Sequence, residues 1–360
     1  MSGMINPSMS VHPATLVERF AIDLSDLQVY TEAASGSYLL TPVLAAVAGA
    51  RKVYAQTRDS RFSQAVGVAD ATMKAAAEFG VADRIEILFE RSHRCLRKCD
   101  IVTNSGFVRP IDVDLITSLK PTAVIPLMWE TWEFRSADFD LNLCRSKEIL
   151  VMGTNEHRPP CDMSGFIGYC ALKLLFEIGF DGGKVLLLGN APIPASPIVD
   201  LLRRIGIDVT WASTGHGSDL RYEELKDHFQ KHGSRYDIMI LAEHEKPILL
   251  LGADGLLDFE AINTVNPALR ICVICGNIDV PGLQESGLHY LPRHVAPFGF
   301  ISYQPYMLGP RPVLTLYAAG LKVGEAMARA RLKGLPPREA AIEALAGSPA
   351  MDFEGELSWL

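Results

Sequence analysis

Short runs rich in apolar and β-branched residues punctuate this chain, with helical stretches between them. In the first half the runs are KVYAQT (52–57), RIEILFE (84–90), DIVTN (100–104), TAVIPLM (122–128) and EILVMG (148–153). In the second half they are KVLLLG (184–189), DVTWAS (208–213), YDIMILA (236–242), RICVICG (270–276) and LHYLP (288–292). Runs of this length suit strands covered on both faces, and their alternation with helical stretches predicts α/β architecture with parallel sheets. An alanine-rich helix fits 66–79, closed by Gly80. Residues 1–30, with Pro7 and Pro13, read as an irregular arm followed by a short element. No repeat at solenoid spacing is present, although the two halves share a plan.

Two longer helices are expected to tie the halves together. The first, about 163–178, is capped by Asp162 or Ser164 and stopped by Gly179. The second runs from Pro312 to about Lys333, and its Gly320, Gly324 and Ala328 recur every four residues, leaving one face nearly bare for close packing. A segment of 360 residues exceeds one typical core and implies two domains.

Residues 184–206, KVLLLGNAPIPASPIVDLLRRIG, read as buried strand, tight turn and helix. That is the opening of a dinucleotide-binding unit with only Gly189 left of its glycines. Asn190 follows, then Pro192 and Pro194, which have no N–H to offer a phosphate. Ser196 is expected as N-cap and Pro197 as the first helical residue, leaving free N–H groups at the dipole's positive end for an anion. An acidic residue usually follows about 20 positions on, where it holds the ribose 2′-OH. Ser213 and Thr214 stand there instead; they suit a 2′-phosphate, but no arginine is beside them, the next being Arg221.

A formal charge of −8 argues against nucleic-acid or anionic-membrane surfaces, and the short basic run RSHRCLRK (91–98) reads as a solvated helix end. No apolar segment approaches ~18 residues and no secretory leader pattern opens the sequence, so a cytoplasmic protein is expected. Seven cysteines, an odd number, fit a reducing compartment. Neither Cys95/Cys99 nor Cys272/Cys275 has the matching second pair of a structural zinc site, so no metal is expected; Cys95, Cys99 and His93 together are the weaker alternative.

The order of elements over about 50–335 resembles the two-Rossmann-domain superfamily of D-2-hydroxyacid dehydrogenases, alanine dehydrogenase, dipicolinate synthase A-type proteins and S-adenosylhomocysteine hydrolase. The resemblance rests on element order and carries no catalytic motif. It implies an N-terminal Rossmann-like substrate domain (1–155), a central cofactor-type domain (156–308), a helix crossing back (309–335) and a C-terminal tail (336–360), with an interdomain cleft.

Loops following parallel strands are where ligands bind. Arg58 and Ser60, in Arg58-Asp59-Ser60-Arg61, follow the first run; the arginine either clamps a carboxylate or phosphate or belongs to an exposed Arg–Asp turn. Asn104, Ser105 and Arg109 follow DIVTN. Trp129 and Glu130 open Trp129-Glu130-Thr131-Trp132-Glu133, either a wall for an apolar substrate or an interface plug. His157 lies in the crossing Asn155-Glu156-His157-Arg158, as an acid–base or a hinge residue. In the second half Glu243 and His244 end a strand, and a carboxylate bonded to that imidazole would raise its pKa and fix its tautomer for acid–base work. Asn277 and Asp279 follow RICVICG as ligand contacts or plain turn chemistry. His294 and Arg311 are further residues that could reach the cleft.

The leading expectation is an NAD(P)-dependent oxidoreductase-like protein. NAD or NADP would sit at Gly189, Asn190, Ser196, Ser213 and Thr214, a small carboxylate-bearing substrate would be held by Arg58 or Arg109, and His244 or His157 would move the proton. The main alternative is a cofactor-free, non-catalytic protein holding a peptide or metabolite for a partner enzyme. A third is a lyase or hydrolase working through His244 and Glu243. A homodimer is expected from the bare-faced helices, with no nucleic-acid or membrane partner.

Overall fold

The computed structural model describes residues 12–360, so Pro7 and most of the expected N-terminal arm lie outside the described residues. The described residues form two compact units, one running to residue 163 together with 309–360 and one of residues 164–308.

In the first unit, strands β1 (Gln28–Glu32), β2 (Lys52–Gln56), β3 (Ile85–Leu88), β4 (Ile101–Val102), β5 (Val124–Pro126) and β6 (Leu150–Thr154) form one parallel sheet in the order 3-2-1-4-5-6. The second unit repeats that order with β7 (Lys184–Leu188), β8 (Asp208–Ser213), β9 (Leu220–Arg221), β10 (Ile238–Ala242), β12 (Arg270–Cys275) and β14 (His289–Leu291). A separate small pair, β11 (Leu249–Leu251) and β13 (Asn277–Ile278), lies in its loops. The last strand, β15 (Ala350–Met351), runs antiparallel to β6 in the first unit.

Both sheets are doubly wound, in keeping with apolar runs such as KVLLLG and RICVICG. In the second unit Val185, Leu187, Ile240 and Cys272 face a core with the helices Ser164–Glu177 and Ala195–Arg204. The alternate residues Leu186, Leu188, Met239 and Ile271 face a core with the helices Tyr222–His232 and Phe259–Val265. In this strand order the chain reverses direction between the first and fourth strands, which opens a crevice at their carboxyl ends.

The helix Pro310–Leu332 belongs to the first unit. Its bare face lies on the sheet: a Cβ on Gly324 would stand 2.9 Å from the Pro126 ring and 3.0 Å from Ile101, and one on Gly320 would strike Met128. Gly168 likewise lets the helix Ser164–Glu177 approach Pro197 and Leu201. The small-residue faces behind the homodimer expectation are therefore filled within each unit and supply no contact to a second copy.

Several expectations are corrected. β1, the central strand of the first sheet, falls where only an irregular arm and a short element were expected; its Thr31 and Glu32 are buried polar residues that break the apolar pattern. Residues 336–360 are not a tail: they form the helix Pro337–Gly347 and β15. The helix after β7 begins at Ala195, with Pro194 at the cap position and no side-chain cap, so Ser196 lies inside the first turn. Full burial of Ala195, beside Gly189, draws the helix start back from the expected cap.

Candidate functional site

In the second unit the crevice lies between the ends of β7 and β10. Gly189 follows β7 so tightly that a Cβ there would stand 2.1 Å from the Ala242 carbonyl oxygen, which only glycine permits. Trp211 Nε1 donates to the Gly189 carbonyl at 2.8 Å, fixing the turn against β8. Asn190, 4% exposed, spans the two strand ends: its Oδ1 accepts from the Thr214 N–H at 2.9 Å and from Thr214 Oγ1 at 3.0 Å. Its Nδ2, on the same planar amide, is buried with no hydrogen-bond partner. An orphaned buried donor carries a desolvation cost of roughly 1–3 kcal/mol that an acceptor from a ligand would remove. The ten-residue helix Ala195–Arg204 starts five residues further on and brings its free N–H groups to the same strand end. Donors for an anion are thus present even though Pro192 and Pro194 contribute none.

Glu243 and His244 follow β10, and the contacts of Glu243 run to its own loop. Glu243 is fully buried, and its Oε1 accepts from the N–H groups of Glu245 and Lys246, both at 3.0 Å. Its other oxygen accepts from the Tyr222 hydroxyl at 3.3 Å. The carboxylate therefore folds the loop back on itself. Folding that loop places Lys246 Nζ 2.8 Å from Thr214 Oγ1. Ser213 Oγ accepts from the Gly215 N–H at 3.0 Å and shapes the next turn. Asn277 and Asp279 take the plainer of their two readings: Asn277 donates to the Pro247 carbonyl, and Asp279 caps the helix Val280–Glu285.

In the first unit the crevice lies between β1 and β4. A buried hydroxyl chain of Tyr317, Thr31, Thr103 and Ser105 joins the helix Pro310–Leu332 to both strands. Glu32, at the end of β1 and 5% exposed, accepts from the Phe107 N–H at 2.8 Å. Burial raises its carboxyl pKa against the opposing pull of the Phe107 and Gly106 N–H groups and of Arg109 and Arg58. Both arginines are held by rings: Arg58 lies 5.1 Å over Phe107 and Arg109 4.8 Å over Trp129. Arg109 also pairs with Asp138 at 3.1 Å, while its Nε is buried without a partner. Asn104 Oδ1 accepts from the Met128 N–H at 2.8 Å, leaving Nδ2 as a second buried orphan. Ser60 only caps its own turn, accepting from Phe62 and Ser63.

Glu130, also buried, accepts from the Trp132 indole at 2.7 Å and the Glu156 N–H at 3.1 Å, with His157 Nε2 3.8 Å away. Burial, with Glu133 and Glu130 nearby, pushes the Glu156 carboxyl up to about 8. Trp129 and Trp132 make no common wall, because Trp129 backs Arg109 while Trp132 is 57% exposed.

Glu32 and Lys246 are the site residues that no sequence motif marks. Glu32 ends a strand whose polar residues hid it, and Lys246 reaches Thr214 only through a loop fold set by Glu243. Elsewhere the cysteines are free and buried, burial raises the Cys99 thiol pKa far above its usual value, and His93 is taken up by Ser118 and Asp114. Among the described residues no group of three or more potential ligands could hold a metal, and no helix is long and apolar enough to cross a membrane.

Two doubly wound, Rossmann-like units, with the last long helix returned to the first, make up the fold. Among solved structures, a dipicolinate synthase polypeptide from Bacillus halodurans shares it at a TM-score of 0.52 and 10% identity, over 82% of this chain and 96% of that one. A 2-hydroxyacid dehydrogenase from Ketogulonicigenium vulgare matches at 0.45 and 10% identity, over 87% and 97% of the two chains. The NAD complexed form of D-isomer specific 2-hydroxyacid dehydrogenase from Lactobacillus delbrueckii ssp. bulgaricus matches at 0.42 and 11%, over 86% and 98%. The likeness is one of fold. No family model matches the sequence, and no curated protein matches it.

Proposed function

We propose that the second unit binds a nicotinamide dinucleotide, NAD or NADP, and that the first binds a small carboxylate-bearing substrate through Arg58 and Arg109, making the protein an oxidoreductase. The observation that carries this reading is the orphaned Asn190 Nδ2, buried behind a glycine turn that leads into a helix start. Pyrophosphate oxygens are acceptors of the kind that donor lacks. When bound, the dinucleotide supplies the hydride chemistry. The chain's own part is to seat the phosphates at Asn190 and the first turn of the Ala195–Arg204 helix, to orient the substrate carboxylate with two ring-backed guanidinium groups, and to exchange a proton at His244 or His157. We place the protein in the cytoplasm, a reducing compartment that suits its free, buried cysteines.

The reading is tested by titrating the protein with NADH and NADPH while exciting tryptophan. Trp211 touches the Gly189 turn, so binding transfers its emission to the reduced nicotinamide. No change up to millimolar cofactor overturns the proposal. That result would favour the second reading, a cofactor-free protein that keeps the fold to hold a peptide or metabolite. Pro192 and Pro194 support that reading, since they remove two donors from the phosphate turn.

A further inference from the structure

On the dinucleotide reading above, we infer that the preferred cofactor carries a 2′-phosphate, and that Lys246 with Thr214 forms its seat. In units of this strand order the adenosine ribose lies at the end of the second strand, where an acidic side chain normally accepts from its 2′-OH and repels a phosphate. Here that strand is β8, and it ends in Ser213 followed by Thr214. The first carboxylate further along the chain, Asp219, is occupied: it accepts from the Trp211 N–H at 2.7 Å and pairs with Arg203. That acid is committed to the strand and does not stand in for the ribose-binding one.

A cation is present in the acid's place. Lys246 Nζ lies 2.8 Å from Thr214 Oγ1, which itself donates to Asn190 Oδ1. The exposed ammonium has two further protons to offer, and Thr214 Oγ1 can turn to meet an anion. The position of Lys246 does not depend on its own long side chain alone. The buried carboxylate of Glu243 holds its backbone N–H at 3.0 Å and so sets the root of the side chain. Glu243, Lys246, Thr214 and Asn190 thus form one connected set across the ends of β10, β8 and β7, and it ends in the orphaned Nδ2. The set joins a charge for the 2′-phosphate to a neutral donor for the neighbouring ribose or pyrophosphate. Arg221 stands opposite Ser213 in the β8–β9 register, with its guanidinium 3.9 Å from the Glu223 carboxylate.

The test is calorimetric titration of the whole protein with NADP+, NAD+, 2′-AMP and 5′-AMP, repeated on Lys246→Met and Lys246→Arg. NADP+ should bind at least about ten-fold more tightly than NAD+, and 2′-AMP more tightly than 5′-AMP, since one charge-assisted contact is worth roughly a ten- to hundred-fold change. Lys246→Met should abolish that preference while moving the NAD+ affinity by less than about two-fold, and Lys246→Arg should keep it. NAD+ binding as tightly as NADP+, with Lys246→Met without effect, would overturn the 2′-phosphate seat and leave the dinucleotide reading standing. Binding of none of the four at millimolar concentration would overturn both.

Discussion

Gly189 and Asn190 show how much two side-chain choices decide. A methyl group on Gly189 would overlap the Ala242 carbonyl, which is backbone of β10 and cannot turn aside. Gly189→Ala should therefore cost about 3 kcal/mol or more of unfolding free energy, read as a lower midpoint in urea. Asn190→Ala removes both bonds to Thr214 as well as the orphan donor. It should cost roughly 1–2 kcal/mol of stability and weaken dinucleotide binding in the same titrations. Glu156 predicts a pH dependence. Its folded pKa of about 8 lies above the ordinary value of 4.5, so the folded state holds the proton more tightly than the unfolded one. Stability from this group is complete below about 4.5 and is lost as pH rises towards about 8, the reverse of a salt-bridged acid. Glu156→Gln should flatten that slope in denaturation curves measured from about pH 5 to 8.

At the scale of elements, the helix Pro310–Leu332 shows what small residues do. The four-residue spacing of Gly320, Gly324 and Ala328 correctly marked a face for close approach, but spacing does not say what approaches. The structure supplies β4 and β5, through Ile101 and Pro126. Gly324→Val should thus cost about 2–4 kcal/mol by overpacking against a proline ring that cannot move away. Exposed Leu332→Ala, at the same helix's end, should change the urea midpoint little. Strands were legible where both faces are buried, as in KVLLLG and RICVICG, because such runs must be continuously apolar. β1 was not, because Thr31 and Glu32 are buried by polar partners rather than by oil: a hydroxyl chain for one and a backbone N–H for the other. β15 and the helix before it were missed for a related reason, since a two-residue strand has no period to read.

Over the whole molecule, the chain leaves the first unit after Met163 and returns at Gly309. The second unit is one continuous segment with both sheet faces covered from within it. A fragment spanning 164–308 should therefore fold cooperatively, with a single urea transition by circular dichroism. A fragment ending at residue 308 should leave the first sheet unfolded or aggregated, because the face that Pro310–Leu332 covers, including Ile101 and Pro126, would be bare. Size and composition implied two such bodies, and element order implied a helix crossing back to the first; the contacts added residues 336–360 to that same body.

The residues by themselves determined the class of fold, most strand positions, the glycine turn after β7 and the missing acid after β8, since each follows from local period, burial or backbone freedom. Tertiary structure alone decided what each of the marked side chains touches. It made Glu243 a loop cap, set Glu32 under the pull of two arginines and delivered Lys246 to Thr214 across 32 residues of sequence. The physical reason is range: hydrophobic period and turn propensity act over a few residues, whereas a binding site is made where strand ends distant in sequence meet at one sheet edge.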